Sequence, residues 1–380
     1  MFLTSPDLLI DEATAWVAKR ARLQCPPLIV DPADKWIVRS AFQKAVRRGQ
    51  TDRAVTLALT LHRIDSRYVW RAVLTVAIED VGFGSPDSVF WATHAQTSGF
   101  RKMVGELPLL IALTREMALA EKSQAALQIS FLANTTHLEA FRSFALMTNV
   151  NLIRRVEGDD PFECYVALGV LRGITPPTDN KRPRDHAGIA QATEIICDQL
   201  PPDLGRAAAV SLARPLDNMS IGGFPAFRLG NQIDGDQIRS DPRPDSLLIR
   251  GYASEAYDQH ERSGRLAIRR FASDLLDTHP ELGRLSQKSL VPAVSDAIFL
   301  VEGQCLTGWR TGSELLQLRR ETDRLSLTRH GLSPEEGAAL CKIVDQTIHI
   351  LNDHRQAVSE PVASLNSGLC SPAGGETPIG

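Results

Sequence analysis

The sequence has few cysteines, and their arrangement is not that of a disulfide framework or a zinc site. The chain of 380 residues contains six cysteines, and no two of them have the spacing of a CxxC motif. Small secreted proteins and structural zinc sites both depend on closely spaced cysteines. We therefore predict reduced thiols and no metal site.

The chain also lacks a long apolar run and a strong charge of either sign. No uninterrupted apolar segment reaches the roughly 18 residues that a membrane-spanning helix needs. Asp7, Asp11 and Glu12 interrupt the region where a secretion signal would be apolar. The net charge of −3 gives no overall attraction to a polyanion, so nucleic-acid binding would need local basic patches. These absences predict a cytoplasmic protein that does not contact membranes.

Three motifs of common enzyme classes are missing. The sequence contains no GxxxxGK[ST] phosphate-binding loop, no HExxH pair and no GxSxG turn. The first motif holds nucleotide phosphates, the second holds zinc and the third carries a nucleophilic serine. We therefore expect no nucleotide, metal or other cofactor, and the sequence does not by itself reveal a reaction.

The chain does contain a long series of helix signals. Apolar residues recur at helical spacing, and few segments alternate between apolar and polar residues as strands do. Ser333 and Glu336 have the spacing of a capping box, which marks the start of a helix. The sequence predicts a mainly α protein built as a multi-helix bundle.

Two stretches rich in proline or glycine interrupt the helix signals, at about 175–185 and 215–245. Both compositions are typical of loops. We predict four regions along the chain. They are a helical domain over 1–175, an irregular linker with short helices over 176–245, a second helical domain over 246–356 and a disordered tail over 357–380.

Glu79 and Asp80 lie at the end of a predicted helix. Adjacent side chains point roughly 100° apart on an α-helix, so these carboxylates should be poorly placed to share a proton. The negative end of the helix dipole also favours pairing with cations. We predict a structural brace formed by Arg71, Glu79, Asp80 and Gly82, with Arg67 or a neighbouring helix as a further partner.

Basic residues cluster near the N-terminal part of the chain. Lys44, Arg47 and Arg48 end one predicted helix, and Arg53 begins the next. Such a cluster is a candidate nucleic-acid-binding surface, because lysine and arginine pair with phosphates. The alternative is an ordinary solvated helix face, which the near-neutral net charge favours.

A second polar cluster lies between residues 257 and 265. It places Asp258, His260 and Arg262 close together, and a histidine beside a carboxylate can transfer protons. These three residues are the best catalytic candidates in the sequence. The alternative is ion pairing along a solvated helix, since Asp258 and Arg262, like Glu261 and Arg265, are four residues apart.

The segment from Ser40 to Pro86 resembles part of a known family. The matching residues are Ser40-Ala41, Lys44, Arg47, Asp52, Ala54, Arg71, Glu79-Asp80-Val81-Gly82 and Pro86. In this order they are similar to the C-terminal helical region of the replication-associated recombination ATPases, the MgsA, RarA and WRNIP family. That region is in turn similar to the collar domains of clamp-loader subunits.

The resemblance implies a clamp-loader-collar-like N-terminal domain that mediates oligomerisation. It also implies homo-oligomers, a replication ATPase or clamp-loader-type partner, and DNA nearby. ATP hydrolysis is not implied, because the phosphate-binding loop is missing. We therefore expect a non-enzymatic oligomerising or adaptor protein of DNA replication, recombination or mobile-element maintenance. The alternative is an enzyme of unknown reaction with a polar site around Asp258, His260 and Arg262.

Overall fold

Helices make up nearly all of the regular structure in the computed structural model of this chain. The structure describes residues 5–21, 34–173, 184–213, 219–232, 237–242 and 246–359. Within these ranges it contains eighteen α-helices and four short strands. The prediction of a mainly α, multi-helix fold is confirmed.

The first fourteen helices supply most of one hydrophobic core, which runs in sequence from Ala13 to Tyr257 and also includes Leu315 and Leu318. Helical spacing of apolar residues lets the outer helices bury one face in this core, whereas α11 is buried on all sides from Cys164 to Leu171. The helices are α1 (Pro6–Arg20), α2 (Lys35–Arg47), α3 (Thr51–Ile64), α4 (Tyr68–Val76), α5 (Pro86–His94), α6 (Ser98–Val104), α7 (Glu106–Leu119), α8 (Ala125–Thr136), α9 (Leu138–Ala145), α10 (Asn149–Glu157), α11 (Pro161–Leu171), α12 (His186–Gln199), α13 (Pro202–Ala213) and α14 (Met219–Gln232).

The last four helices form a second, smaller core between Ala267 and Leu351. They are α15 (Arg262–Thr278), α16 (Gln287–Ile298), α17 (Ser313–Thr328) and α18 (Pro334–Ser359). Helix α17 joins the two cores, because it buries Leu315 and Leu318 in the first and Leu327 in the second. The predicted domain limits stay a prediction, and residues 360–380 of the predicted tail lie outside the described residues.

The four strands form two small antiparallel pairs. Strand β1 (Gln237–Arg239) pairs with β4 (Trp309–Thr311), with Ile238 opposite Arg310. Strands β2 (Leu248–Ile249) and β3 (Tyr252–Ala253) form a hairpin. The first pair joins the segment after α14 to the segment before α17, and the second is a local hairpin. The fold stays essentially helical.

Local capping signals behave as the sequence predicts. The Ser333 amide donates to Glu336 Oε2 over 2.7 Å, and the Glu336 amide donates to Ser333 Oγ over 3.2 Å. This reciprocal pair is the predicted capping box, and it starts α18. In the described part of the chain, no helix combines the length and the apolar character needed to cross a bilayer.

Two helices end in a π-helical turn. The first turn carries Glu79 and Asp80 and is followed by Gly82, and the second ends in Glu302-Gly303. Helix α4 continues into the first π turn, Ala77–Val81, and α16 into the second, Phe299–Gly303. A π turn has more residues per turn than an α-helix, so neighbouring side chains diverge less, and such turns are frequent at functional sites. Gly82 follows the first turn with φ of 51°, a backbone conformation that favours glycine.

The prediction of irregular structure over 215–245 is wrong for Met219–Gln232, which forms α14. One glycine of this helix, Gly222, allows close packing. A Cβ added at Gly222 would lie 2.6 Å from the Ala126 carbonyl oxygen of α8, so the two helices can approach only where no side chain intervenes. Gly223 is the next residue, and nothing lies within 4 Å of a Cβ added there.

This contrast gives a matched pair of variants. Gly222→Ala should lower the free energy of unfolding by about 1–3 kcal/mol, because the added methyl forces α14 away from α8. Gly223→Ala makes the same chemical change in open space, and should be neutral or stabilising by up to about 1 kcal/mol. Urea unfolding of both variants would measure the difference. Equal effects would contradict the close helix contact.

Candidate functional site

A cavity of about 410 Å³ lies between the two hydrophobic cores. Helix α2, the first π turn and α8 form its walls on the side of the first core. The segment 255–260, helices α15 to α17 and the second π turn form the opposite side. The cavity therefore brings together parts of the chain that are more than 200 residues apart in sequence.

One face of α2 supplies much of the wall. The lining residues of this helix are Trp36, Arg39, Ser40, Gln43, Lys44 and Arg47. They recur every three or four residues, so they lie above one another on one side of the helix. The opposite side carries Val38, Phe42 and Val46, which are buried in the first core. The polar face would be solvated in an isolated helix, but here it faces the cavity.

Lys44 lies at the centre of a compact polar triad. Its Nζ donates to Asp258 Oδ2 and to Ser40 Oγ, both over 2.6 Å, and Ser40 Oγ donates to the same Asp258 oxygen over 2.5 Å. Burial lowers the pKa of Lys44 against the opposing effect of Asp258. Burial alone would raise the pKa of Asp258, but the charge of Lys44 and the hydrogen bonds of Lys44 and Ser40 lower it to about 2.

Asp80 is completely buried and is held from several sides. Arg47 Nε donates to its Oδ1, and Gln43 Nε2 donates to its Oδ2 over 2.9 Å. Gln124 Nε2 donates to Oδ1 over 3.3 Å. Arg47 also donates to the carbonyl oxygen of Gly303 over 2.8 Å, which connects the first π turn to the second.

Glu79 lines the cavity beside Asp80. Its Oε2 accepts from the same Gln43 amide over 3.1 Å, so one side chain bridges both carboxylates. The two acids thus share a hydrogen-bond donor, which the smaller angle between neighbouring side chains in a π turn favours, while the expectation that they are poorly placed to share a proton stays a prediction. Burial, and then the charge of Asp80, raise the pKa of Glu79 to about 7.

Two further buried ion pairs lie beside the cavity, and the first of them joins its two sides. Arg48 pairs with Glu255, and Arg355 of α18 pairs with Glu302 of the second π turn. Arg48 also donates to the Glu302 carbonyl oxygen over 2.8 Å. Because a buried charge is costly unless it is paired, the contacts of Arg48 fix how the two sides of the cavity meet, while the pair of Arg355 and Glu302 braces one side.

A further charged group lines the cavity at Asp296. Asp296 Oδ2 is 2.6 Å from a terminal nitrogen of Arg329 and 2.8 Å from His330 Nε2. The Arg329 guanidinium also lies over the ring of Phe131, with its central carbon 5.0 Å from the ring centre. Asp296 is thus paired with a cation, as Glu255, Asp258 and Glu302 are.

The predicted catalytic residues are only partly brought together. Asp258 lies in the cavity, but His260 is exposed at its rim and contributes its backbone amide to Asp258 Oδ1 over 2.9 Å. Arg262 is exposed at the start of α15. The predicted pairing of Asp258 with Arg262 is replaced by pairing with Lys44.

The predicted pair of Glu261 and Arg265 is likewise replaced, because Glu261 caps α15. Its carboxylate accepts from the amides of Ser263 and Gly264. A carboxylate at the start of a helix also interacts favourably with the helix dipole. Glu261 is buried as a result and is not part of a solvated charged face.

The structure does not place the predicted nucleic-acid-binding residues on an open surface. Lys44, Arg47 and Arg48 are buried, with 7%, 4% and 6% of their surfaces exposed, and they pair internally with carboxylates. Arg53 is half-buried and donates to the Gly251 carbonyl oxygen over 2.7 Å. Phosphates could reach the three buried cations only by displacing these ion pairs.

The predicted brace has a different cation from the one expected. Arg71 is exposed, and among the described residues it forms no ion pair with Glu79 or Asp80. Arg47 of the neighbouring helix α2 takes that position. Gly82 lies where the chain leaves the π turn, and a Cβ added there would lie 3.2 Å from the Ser123 carbonyl oxygen.

Sequence reasoning did not identify Glu302, Arg355 or Arg329. One signal was available for Glu302, because Glu302-Gly303 follows an apolar helix as Asp80-Val81-Gly82 does. No local signal distinguishes Arg355 from the many solvated arginines of the chain. Within the described ranges, no group of three His, Cys, Asp or Glu side chains converges as metal ligands would.

Comparison with protein families, curated proteins and solved structures found no match to this chain. The resemblance of residues 40–86 to the recombination ATPases therefore stays a prediction.

Proposed function

We propose that the chain binds a small polar molecule in the cavity between its two cores and exchanges a proton with it through Glu79. The observation that supports this proposal is a carboxyl group with a pKa of about 7 in the wall of a cavity of about 410 Å³. A group that is half-protonated near neutral pH can both accept and donate a proton. Titratable groups with strongly shifted pKa values in a cleft are candidates for such a role.

Glu79 differs from the other acids of the cavity in its pairing. Glu255, Asp258, Asp296 and Glu302 each have an arginine or lysine partner. Among the described residues, Glu79 forms no ion pair and is held by Gln43, while the charges of Arg47 and Arg39 act on it from a longer distance and partly oppose the rise of its pKa. The paired acids stabilise the walls of the cavity, whereas Glu79 is the acid that can change its charge when a ligand binds.

The proposal is a form of the enzyme alternative considered from sequence. In it, Asp258 holds Lys44 in place and the proton-transferring acid is Glu79, while His260 lies at the rim. The non-enzymatic oligomerising or adaptor role stays a prediction. A DNA contact through Lys44 and Arg47 would compete with the buried ion pairs of these residues.

A ligand-observed NMR screen with a library of small polar fragments would test the proposal. Ser326 of α17 lines the cavity, so Ser326→Trp should fill it, whereas Ser143→Trp adds the same group at an exposed position of α9. We expect fragments that bind the unmodified protein to lose binding by about tenfold or more in Ser326→Trp, because the volume they occupy is gone. Binding should be unchanged in Ser143→Trp.

The pH dependence of fragment affinity in the same screen tests the proton exchange. Fragment affinity should change between pH 6 and pH 8 in the unmodified protein and stay nearly constant in Glu79→Gln, since only the former changes charge near the pKa of about 7. Fragments that bind Ser326→Trp as well as the unmodified protein would contradict the cavity as the site. The same pH dependence in Glu79→Gln would contradict the role of Glu79.

A further inference from the structure

We propose that the ligand of the cavity is a small aldehyde or ketone, and that Lys44 binds it covalently as an iminium. This inference rests on the proposed function and deepens it by naming the substrate class. Lys44 is the one lysine that lines the cavity among the described residues. Its Nζ has Asp258 and Ser40 within hydrogen-bond distance, so proton donors and acceptors are already beside the nucleophile.

The surroundings of Lys44 are those that make an amine nucleophilic. Lysine becomes reactive toward carbonyl groups when it is removed from water or lies near another cation. Lys44 is buried, and Arg47 lies one helical turn away on the same face of α2. Burial and Arg47 both lower the pKa of Lys44, and burial outweighs the opposing effect of Asp258.

Lys122 provides an internal contrast. It is also buried, but its Nζ donates to the carbonyl oxygens of Ala118 and Ala120 at the end of α7 and does not line the cavity. A lysine in that position caps a helix, since it satisfies carbonyl groups that have no partner within the helix. Burial lowers the pKa of both lysines, but only Lys44 has room for a ligand beside it.

The covalent step balances with the groups that are present. The Lys44 ammonium passes a proton to Asp258 directly or through Ser40, and the free amine attacks the carbonyl carbon to form a C–N bond. Asp258 returns its proton to the carbonyl oxygen. Glu79 in its protonated form donates a second proton to that oxygen and then takes up the second proton that the nitrogen loses, so both acids end in the state in which they began. The C–O bond then breaks and water leaves. No oxidant or reductant is needed.

The charge in the cavity is conserved through this step. The starting ammonium and the resulting iminium each carry one positive charge, and both can pair with the Asp258 carboxylate. A buried ion pair is costly to break, so a reaction that keeps the pair avoids that cost. The triad therefore stabilises the product as it does the resting state.

Reductive trapping tests the inference on the full chain. The protein is incubated with glycolaldehyde or pyruvate in the presence of borohydride, and each lysine is followed by peptide mass spectrometry. We expect Lys44 to be labelled about tenfold or more faster than the exposed residues Lys19, Lys102 and Lys342, because its amine is activated and theirs are not. Equal or slower labelling of Lys44 with both probes would overturn the inference.

Two variants separate a reactive site from a merely accessible one. Because Asp258 also raises the pKa of Lys44, labelling rates are compared on the high-pH plateau of the pH–rate profile, where Lys44 is a free amine in both proteins. There Asp258→Asn should slow the labelling of Lys44 while labelling of Lys19 is unchanged, because it removes the group that relays the proton and pairs with the iminium. Asp258→Glu should restore part of the rate. If Asp258→Asn labels Lys44 as fast as the unmodified protein, the triad has no role in the reaction, and the inference is wrong in its mechanism.

The outcome also distinguishes this inference from the proposed function. If Ser326→Trp abolishes fragment binding but Lys44 of the unmodified protein is labelled slowly, the carbonyl substrate is contradicted and the ligand site is not. If the fragments bind Ser326→Trp as tightly as they bind the unmodified protein, the ligand site is contradicted as well. Fast labelling of Lys44 that Ser326→Trp abolishes and Ser143→Trp leaves intact would support both.

Discussion

Replacing Arg355 by methionine should lower the free energy of unfolding by about 3–5 kcal/mol, because it leaves a buried carboxylate without a cation. The Arg355 side chain is completely buried, and its guanidinium donates to both oxygens of Glu302. It also donates to the Tyr257 carbonyl oxygen over 3.1 Å and to Asn352 Oδ1 over 3.0 Å. Methionine approximates the length of the side chain but replaces none of these bonds.

Two controls make this result specific. Arg269→Met makes the same change at an exposed position of α15 and should alter stability by less than about 0.5 kcal/mol. The double variant Arg355→Met with Glu302→Met removes both charges, so it should recover much of the loss. Urea unfolding measures all of these values. A double variant that is as unstable as the sum of its single variants would contradict the pairing.

Glu79→Gln should change how stability depends on pH. Because the pKa of Glu79 is raised from 4.5 to about 7, the folded state binds more protons than the unfolded state between these values. The contribution of Glu79 to stability is therefore fully present below pH 4.5 and is lost as the pH rises through about 7. The loss amounts to about 3 kcal/mol.

Glutamine stays neutral, so the variant should not show this loss. The free energy of unfolding of Glu79→Gln, relative to the unmodified protein, should rise by about 3 kcal/mol between pH 4 and pH 8. Glu157→Gln, an exposed position near the end of α10, should show no comparable change. Urea unfolding at several pH values gives both profiles. Parallel curves for Glu79→Gln and the unmodified protein would contradict the raised pKa.

Features that depend on neighbouring residues could be predicted from the sequence. The helical class follows from apolar spacing, and the capping box of Ser333 and Glu336 follows from two residues three apart. Helix α14 could not be predicted in the same way, because Gly222 reads locally as a break. A glycine is needed at position 222 because the backbone of α8 packs against it, and α8 is close in space but about 100 residues away in sequence.

The cavity is harder to predict because its partners are distant in sequence. Lys44 and Asp258 are separated by 214 residues, and neither has a local signal that identifies the other. The polar face of α2 has the same pattern as a solvated face, so its burial depends on the second core covering it. The π turn also departs from the α-helical angle, which explains why Glu79 and Asp80 share Gln43.

The most direct test of the central claim is the titration of Glu79 itself. A ¹³C NMR titration of the side-chain carboxyl groups of the full chain, with Glu79→Gln to assign the resonance, measures the pKa without any ligand. The account predicts that this carboxyl group titrates at about pH 7, well above the 4.5 of an ordinary glutamate. A midpoint at or below 4.5 would show that Glu79 is permanently charged at neutral pH, and would contradict its role as the proton-exchanging group of the cavity.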